Sequence, residues 1–255
     1  MKRIRAYLEQ IALVRFFWRS VRVPLRYFGF IGDYLRYSQM LGQTGKLKLR
    51  WKDRYPCLFD CTVTTGFDRH YVYHTAWAAR QLAYTRPEEH IDIGSSLYFA
   101  ALVSAFVLIR FYDYRPAPLL LSGLTCGHAD LHSLPFEDNS ISSLSCMHVI
   151  EHIGLGRYGD PLDDNGDVKA AAELSRVLAS GGHLLLVTPV GRPRTAFNAH
   201  RIYSYEQVCA LFPGLNLLYF SLVPDDPDVG ILDNPERDMM NRQEYGCGCF
   251  RFAKP

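Results

Sequence analysis

Three side chains in the middle of the sequence carry the chemistry of proton transfer. His148, Glu151 and His152 stand within five residues of one another. Histidines and carboxylates can take a proton from a hydroxyl or amine acceptor. If the segment after Met147 is helical, His148 and His152 are four apart and share a face. They then serve as base and orienter, or as two metal ligands. The plainer alternative makes Glu151-His152 a structural pair bonded to backbone at a sheet edge, and His152 suits that alternative better than His148 does.

A second set of residues has the spacing of a nucleotide pocket. His90-Ile-Asp-Ile-Gly-Ser-Ser-Leu-Tyr98 sets an acid, Asp92, before a glycine turn. Gly94 can take backbone angles that a side chain forbids, so a ligand can approach closely. Asp113 follows Asp92 by 21 residues. A carboxylate there can accept both hydroxyl hydrogens of a ribose; as a bland alternative it caps the turn before Pro116. In Ala129-Asp130-Leu-His-Ser-Leu-Pro-Phe136, Asp130 could take the exocyclic amine of a purine, and Leu131 could offer its backbone amide to a ring nitrogen.

The surrounding sequence supplies the elements that must position these groups. His90–Ile93, Val107–Asp113, Gly127–Asp130 and Ile141–Met147 read as short strands. A helix beginning near His70 should stop before Pro87. Ser96–Phe106 reads as an apolar helix, and Asp167–Leu178 as a helix closed by Gly181-Gly182. Leu184–Val187 is nearly continuous aliphatic sequence, as expected of a strand buried on both faces. Leu215–Val223 and Cys249–Phe252 are candidate closing strands. The alternation predicts an α/β domain with a mostly parallel sheet flanked by helices, running from about Thr65 to the C-terminus. Ligands of such sheets sit beyond the carboxyl ends of the strands, where strand order reverses.

Taken in order, the acidic glycine turn, Asp113, Asp130 with Leu134-Pro-Phe136, Glu151-His152 and Glu173-Leu-Ser-Arg-Val-Leu-Ala-Ser-Gly-Gly182 resemble the small-molecule class I methyltransferases. The resemblance covers Ile91–Pro189 and implies a Rossmann-like fold that binds S-adenosylmethionine. It implies that Asp92, Gly94 and Ser96 hold the methionine end, Asp113 the ribose, Asp130 and Leu131 the adenine, and that Met147 joins the cofactor set. The sequence departs from that pattern in three places. Ser96 and Tyr98 replace the second and third glycines of the first turn, and Ser142 replaces an aspartate at the start of strand four. Tyr98 is large enough to fill the space of the cofactor's methionine end.

Further segments resemble the domain-of-unknown-function family 268: Trp51-Lys-Asp-Arg-Tyr-Pro-Cys57, Thr65-Gly-Phe-Asp-Arg-His-Tyr-Val-Tyr-His74, Glu151–Asp160, Phe197–Tyr205 and Tyr245-Gly-Cys-Gly-Cys249. Bacterial members of that family often accompany surface-polysaccharide genes, which implies a glycan-related acceptor. The expected activity is methyl transfer from S-adenosylmethionine to an oxygen or nitrogen of such a molecule. The alternative is a non-catalytic binding or scaffolding protein on the same fold.

Composition limits the remaining possibilities. Hydrophobic residues at 48% and charged residues at 21% describe a globular chain. Charge is unevenly placed: residues 1–54 hold 13 basic and 3 acidic groups, a balance of +10, within a chain of net charge +2. Residues 1–50 therefore read as a basic extension and linker, and 51–255 as the methyltransferase-like domain. Ile11–Leu35 is apolar but interrupted by Arg15, Arg19, Arg22 and Arg26, a poor spanning helix. Those arginines share one helical face, and Pro24 should end or kink the helix. Residues 1–37 could lie on an anionic membrane surface, or pack on the body with the arginines solvated. Seven cysteines show no paired metal-ligand spacing, so no metal is expected. Asp160, Asp163, Asp164 and Asp167 lack calcium-loop spacing and read as caps. A reduced cytoplasmic setting is expected, peripheral on the inner membrane face if the basic head binds lipid. No nucleic-acid module is recognisable.

Overall fold

The computed structural model describes residues 12–41 and 47–255. The chain divides into two compact units, Met1–Gly66 and Phe67–Pro255. The division falls later than residue 50 because aromatic contacts join the segment after it to the first helix.

In the first unit, α1 spans Ala12–Leu41 and continues through Pro24. Of the two expected effects of Pro24, an end or a kink, the end is excluded: proline withdraws one backbone donor, and the turns on either side carry the helix across. Trp51 packs edge-on against Tyr34, with ring centroids 4.9 Å apart. Arg26 lies over Phe59 and donates to the Leu58 carbonyl.

The second unit is built on an eight-stranded sheet. Its strands are β1 (Glu89–Ile93), β2 (Leu108–Asp113), β3 (Leu124–His128), β4 (Ile141–Met147), β5 (Leu178–Val190), β8 (Asn216–Val223), β9 (Leu232–Asp233) and β10 (Gly246–Ala253), while β6 (Arg194–Ala196) and β7 (His200–Ile202) form a separate hairpin. The sheet order is β3-β2-β1-β4-β5-β10-β8-β9. The first five strands are mutually parallel, and β10 runs antiparallel to both β5 and β8. Strand order reverses between β1 and β4, so the crevice at their carboxyl ends is the natural ligand site.

Side chains alternate across the pleat, which explains the unbroken aliphatic run of β5. Leu184 and Leu186 enter one core with Leu174 and Val177 of α4 (Gly166–Val177) and Val208 of α5 (Tyr205–Leu211). Leu185 and Val187 enter the other, with Trp77, Ala78 and Leu82 of α2 (Arg69–Thr85) and Phe99 and Val103 of α3 (Leu97–Val103). Truncating a fully buried leucine such as Leu174 to alanine should cost about 2–5 kcal/mol. A buried histidine stitches the sheet centre: His90 bonds Ser143 Oγ and Ser145 Oγ, both at 2.8 Å.

Several boundaries differ from the sequence expectation. α4 ends at Val177 and β5 starts at once, so Gly181-Gly182 is not a helix cap. Gly181 takes φ +74° inside the strand, and a Cβ on Gly182 would come within 2.8 Å of the Ala179 carbonyl oxygen. These glycines permit a register shift opposite Ile141 and Ser143. β3 ends at His128, so Asp130 lies in the following turn rather than in the strand. A short α6 (Arg237–Asn241) completes the fold.

Candidate functional site

Every predicted cofactor contact lies at or near the carboxyl ends of β1 to β4. Gly94 follows β1 with φ +68°, and its amide donates to the Tyr112 carbonyl at 2.7 Å. A Cβ there would stand 3.1 Å from Val149 and 3.7 Å from Asp113 Oδ2. The hydrogen at Gly94 thus leaves open a cradle that any side chain would fill. Asp113 accepts from the Arg115 amide through Oδ1 at 2.7 Å, while Oδ2 faces the cradle. Asp130 Oδ1 accepts from the His132 amide at 2.9 Å. Gly94, Asp113, Asp130, Leu131, His148 and His152 line one cavity of about 230 Å³. Through Tyr71, Asp113 and Arg115 it shares walls with a wider cleft of about 970 Å³, which Ser95 and Ser96 border.

The loop carrying Asp130 is held by a staple. Arg176 donates to Glu173, to Asp138 and to the carbonyls of Leu134 and Phe136. Glu173 in turn accepts the Leu134 amide at 2.8 Å. The Glu173-to-Arg176 and Leu134-to-Phe136 motifs are therefore one structural device that sets where Asp130 stands.

Asp92 lies beneath the Gly94 turn, fully buried, with neither carboxylate oxygen in a hydrogen bond. Burial pushes its pKa up to about 7; Ser95 and Ser145 approach closely enough to oppose the rise but form no well-shaped bond. Met147 is also fully covered and packs in the core; its amide donates to Ser95 Oγ at 3.1 Å. Neither residue lines the cavity.

Tyr98 corrects a sequence expectation. It stands on the first turn of α3, 84% exposed, and lines the wider cleft rather than the cavity at Gly94. The turn swings its ring outward, so it does not fill the space next to the glycine.

The predicted helix after Met147 is likewise replaced. His148 sits at φ +57°, and only Ile150–His152 form a single 3-10 turn. His148 and His152 therefore do not share a helix face. Instead His148 Nδ1 pairs with Glu151 Oε1 at 2.8 Å, and both groups are buried. His152 Nδ1 bonds the Ala199 carbonyl at 2.6 Å. A carbonyl only accepts, so Nδ1 carries the hydrogen and Nε2 keeps a lone pair, which Arg157 approaches at 3.4 Å.

Residues distant in sequence gather around this pair. His70 of α2 stacks on His148 at 5.4 Å and on Tyr245 at 4.9 Å. His74 meets His148 edge-on at 5.0 Å, and His200 lies 4.8 Å from Tyr245. Cys247 Sγ approaches His148 Nε2 at 3.5 Å. A pocket of about 470 Å³, bounded by Asp68, Arg69, His70, Glu151, Arg157, Asp225 and Tyr245, meets the first cavity along Tyr71, His148, His152 and Tyr158. Sequence reasoning set His70 among the polar groups suited to a sugar or phosphate-bearing acceptor, whereas Cys247 escaped it as a site residue. The segments containing them were noticed for their resemblance, but nothing local predicts that they converge.

The environment separates the histidines. Burial, aided by His148, lowers His70 to about 4 and His74 to about 3. Burial also lowers His152 and His200. His148 is opposite: burial would lower it, but Cys247 and Glu151 push it up to about 10. Burial drives the Cys247 thiol well above its ordinary range, and His148 opposes that rise. The acids of the 157–167 loop serve structure. Asp160 accepts amides of Gly154, Gly156 and Tyr158, Asp163 pairs with Lys169, and Asp167 accepts from Tyr203.

The comparisons agree with this architecture. A family model described as "Caenorhabditis protein of unknown function, DUF268" matches residues 137–227, which include the Glu151–Asp160 and Phe197–Tyr205 segments. No curated protein matches the sequence. Among solved structures, a chain from the complex of the Haloferax volcanii Trm112 methyltransferase activator with a provisionally described methyltransferase is 17% identical; the match covers 73% of this chain and 90% of that one, with TM-score 0.50. A protein from Galdieria sulphuraria, provisionally described as a sarcosine dimethylglycine methyltransferase, is also 17% identical, covering 71% and 84%, with TM-score 0.51. The second unit of this chain has the Rossmann-like fold of class I methyltransferases.

Proposed function

We propose that the chain transfers a methyl group from S-adenosylmethionine to an oxygen or nitrogen of a small, glycan-related acceptor. The observation that carries the reading is the wall shared by two pockets. The cavity of Gly94, Asp113 and Asp130 has the donors and acceptors of a nucleoside site, and the histidine-rich pocket meets it at Tyr71, His148, His152 and Tyr158. When bound, S-adenosylmethionine would supply a sulfonium-borne methyl group to an acceptor lone pair in line with the C–S bond, with S-adenosylhomocysteine as the leaving group. Asp113 Oδ2 takes the ribose hydroxyls, and Asp130 with the Leu131 amide takes the adenine. The unpartnered Asp92 beneath the turn favours a cationic group above it. The protein's main contribution is alignment across the shared wall.

Proton removal falls to His152 rather than His148. Both ring nitrogens of His148 are engaged, Nδ1 by Glu151 and Nε2 against Cys247, which leaves neither free for an acceptor's proton. His152 is uncharged at neutral pH, and its tautomer leaves Nε2 as the acceptor. Glu151 holds His148 in place.

Support for the glycan-related acceptor is the family resemblance together with a pocket that mixes charged and aromatic groups. The alternative of a non-catalytic scaffold draws on the altered turn at Ser96 and Tyr98 and on the basic head; the outward position of the Tyr98 ring favours the enzyme reading over it. Residues 1–37 are proposed to touch an anionic membrane surface; no described helix is long and apolar enough to cross a membrane.

Calorimetry with S-adenosylmethionine and S-adenosylhomocysteine tests the reading. Wild type should bind both, and Asp113→Ala should bind at least about tenfold more weakly, because charge-assisted bonds contribute about 1.5–3 kcal/mol each. A folded wild type that binds neither ends the proposal. Methyl acceptance by sugar and nucleotide-sugar panels, followed with labelled donor, tests the acceptor class.

A further inference from the structure

The tightest gathering of soft and borderline ligands in the described residues is His70, His148 and Cys247. One ring nitrogen of each histidine and the Cys247 sulfur lie within 4.8 Å of one another. We propose that these three side chains bind a divalent transition metal, with zinc the best match, leaving a fourth position open toward the histidine-rich pocket.

Four observations carry the assignment. First, the closest pair already has ligand spacing: His148 Nε2 to Cys247 Sγ is 3.5 Å. Tetrahedral zinc, with Zn–N near 2.0 Å and Zn–S near 2.3 Å, sets its nitrogen and sulfur ligands about 3.5 Å apart. Second, His148 Nδ1 is held by Glu151 Oε1 at 2.8 Å, which aims Nε2 at Cys247, where a bound ion would take the place of the Nε2 proton. A carboxylate behind a ligating histidine is the usual outer support of such sites. Third, the donor charges match. A thiolate at Cys247 and the carboxylate of Glu151 balance a divalent ion in a region where both side chains are buried. Fourth, His74 beside His148 is fully buried, its Nδ1 bonded to the His70 carbonyl and its Nε2 unpartnered.

His70 and His148 border the pocket, while Cys247 lies behind them. Three protein ligands with an open side facing a cleft is the arrangement of a metal that engages substrate. An acceptor hydroxyl bound there would lose its proton more readily, the proton passing to His152 Nε2. That use rests on the methyl-transfer reading; metal binding does not.

Cobalt(II) titration of the full-length chain, stripped with chelator and reduced, tests the site. Cys57 and Cys61 are exposed and free, so the background is Cys57→Ser/Cys61→Ser. One equivalent of cobalt should produce a thiolate-to-metal charge-transfer band and four-coordinate visible bands, both displaced by zinc. Cys247→Ser should abolish the charge-transfer band. His70→Ala, at the pocket border, should weaken binding at least about tenfold, and Glu151→Gln should do so by about 10–100-fold. Circular dichroism checks that each variant is folded. Absence of the charge-transfer band in the folded Cys247-containing protein overturns the site, as does its persistence in Cys247→Ser or unchanged affinity in His70→Ala. Calorimetry with S-adenosylhomocysteine on the same samples separates this result from the fate of the methyl-transfer reading.

Discussion

Val149 closes over Gly94: a Cβ built on that glycine would lie 3.1 Å from Val149 Cγ2, and its φ of +68° is one that side chains rarely adopt. The turn is therefore constrained twice, by space and by backbone angle. Gly94→Ala should push Val149 and Asp113 apart and cost about 1 kcal/mol or more in stability. Because Asp113 faces the same cradle, S-adenosylhomocysteine affinity should fall at least about tenfold. Unchanged calorimetric affinity in a folded Gly94→Ala variant would show that the cradle is not used.

Tyr98 should have little influence on that cavity. Its ring is 84% exposed and borders only the wider cleft. Tyr98→Ala should shift unfolding stability by no more than about 0.5 kcal/mol, and cofactor affinity by less than about tenfold. If removing the ring created binding absent from wild type, the outward position would be wrong in solution.

The fold was legible because its signals are local. The continuous aliphatic stretch of β5 and the acid–glycine turn at Asp92 and Gly94 each announce themselves within ten residues. The class I pattern implied cofactor contacts at Gly94, Asp113, Asp130 and Leu131, and these four residues line one cavity. What failed depended on tertiary context. Gly181-Gly182 looks like a helix cap, yet pairing with β4 and β10 extends β5 back to Leu178. His148 and His152 suit a helix by spacing, but the positive φ of His148 breaks it. Cys247 meets His148 across 99 residues of sequence, a distance no local pattern spans.

The Arg176 staple should prove structural rather than catalytic. It joins α4 to the Leu134–Asp138 loop through three carbonyl and carboxylate partners besides Glu173. Arg176→Ala should destabilise by about 1–3 kcal/mol, discounted for the partial exposure of the side chain. It should weaken adenosine binding only through the displaced Asp130 loop. Chemical denaturation together with adenosine titration checks this; unaltered stability would sink it.

Exposed apolar side chains on α1 should decide lipid binding. Leu25 is 65% exposed and Phe28 71% exposed, on a helix in a strongly basic segment. The full chain should sediment with anionic vesicles at low salt and release as salt rises. Leu25→Asp/Phe28→Asp should lower binding severalfold without altering the second unit's far-ultraviolet signal. Equal, salt-insensitive sedimentation of both proteins would contradict the membrane role.

Asp92 makes the pH dependence of stability predictable in sign. Its folded pKa, raised by burial to about 7, exceeds the ordinary value of 3.8. Between those values the folded state holds a proton that the unfolded state has released, so this group's contribution to stability declines as pH rises. The shift of about three units corresponds to at most ~4 kcal/mol, approached above the folded pKa. Buried His74 and His90, lowered to about 3, act the other way and lose stability as pH falls below 6.5. The two effects overlap in wild type, so the informative quantity is the difference from Asp92→Asn, in which the histidines are unchanged. Urea unfolding at pH 5, 6, 7 and 8 should show Asp92→Asn gaining on wild type with each step. A cation bound above the glycine turn would favour the ionised carboxylate, so S-adenosylhomocysteine should narrow that gap at pH 7. A difference independent of pH would mean that Asp92 stays ionised in the folded protein, with partners that the buried carboxylate does not show here.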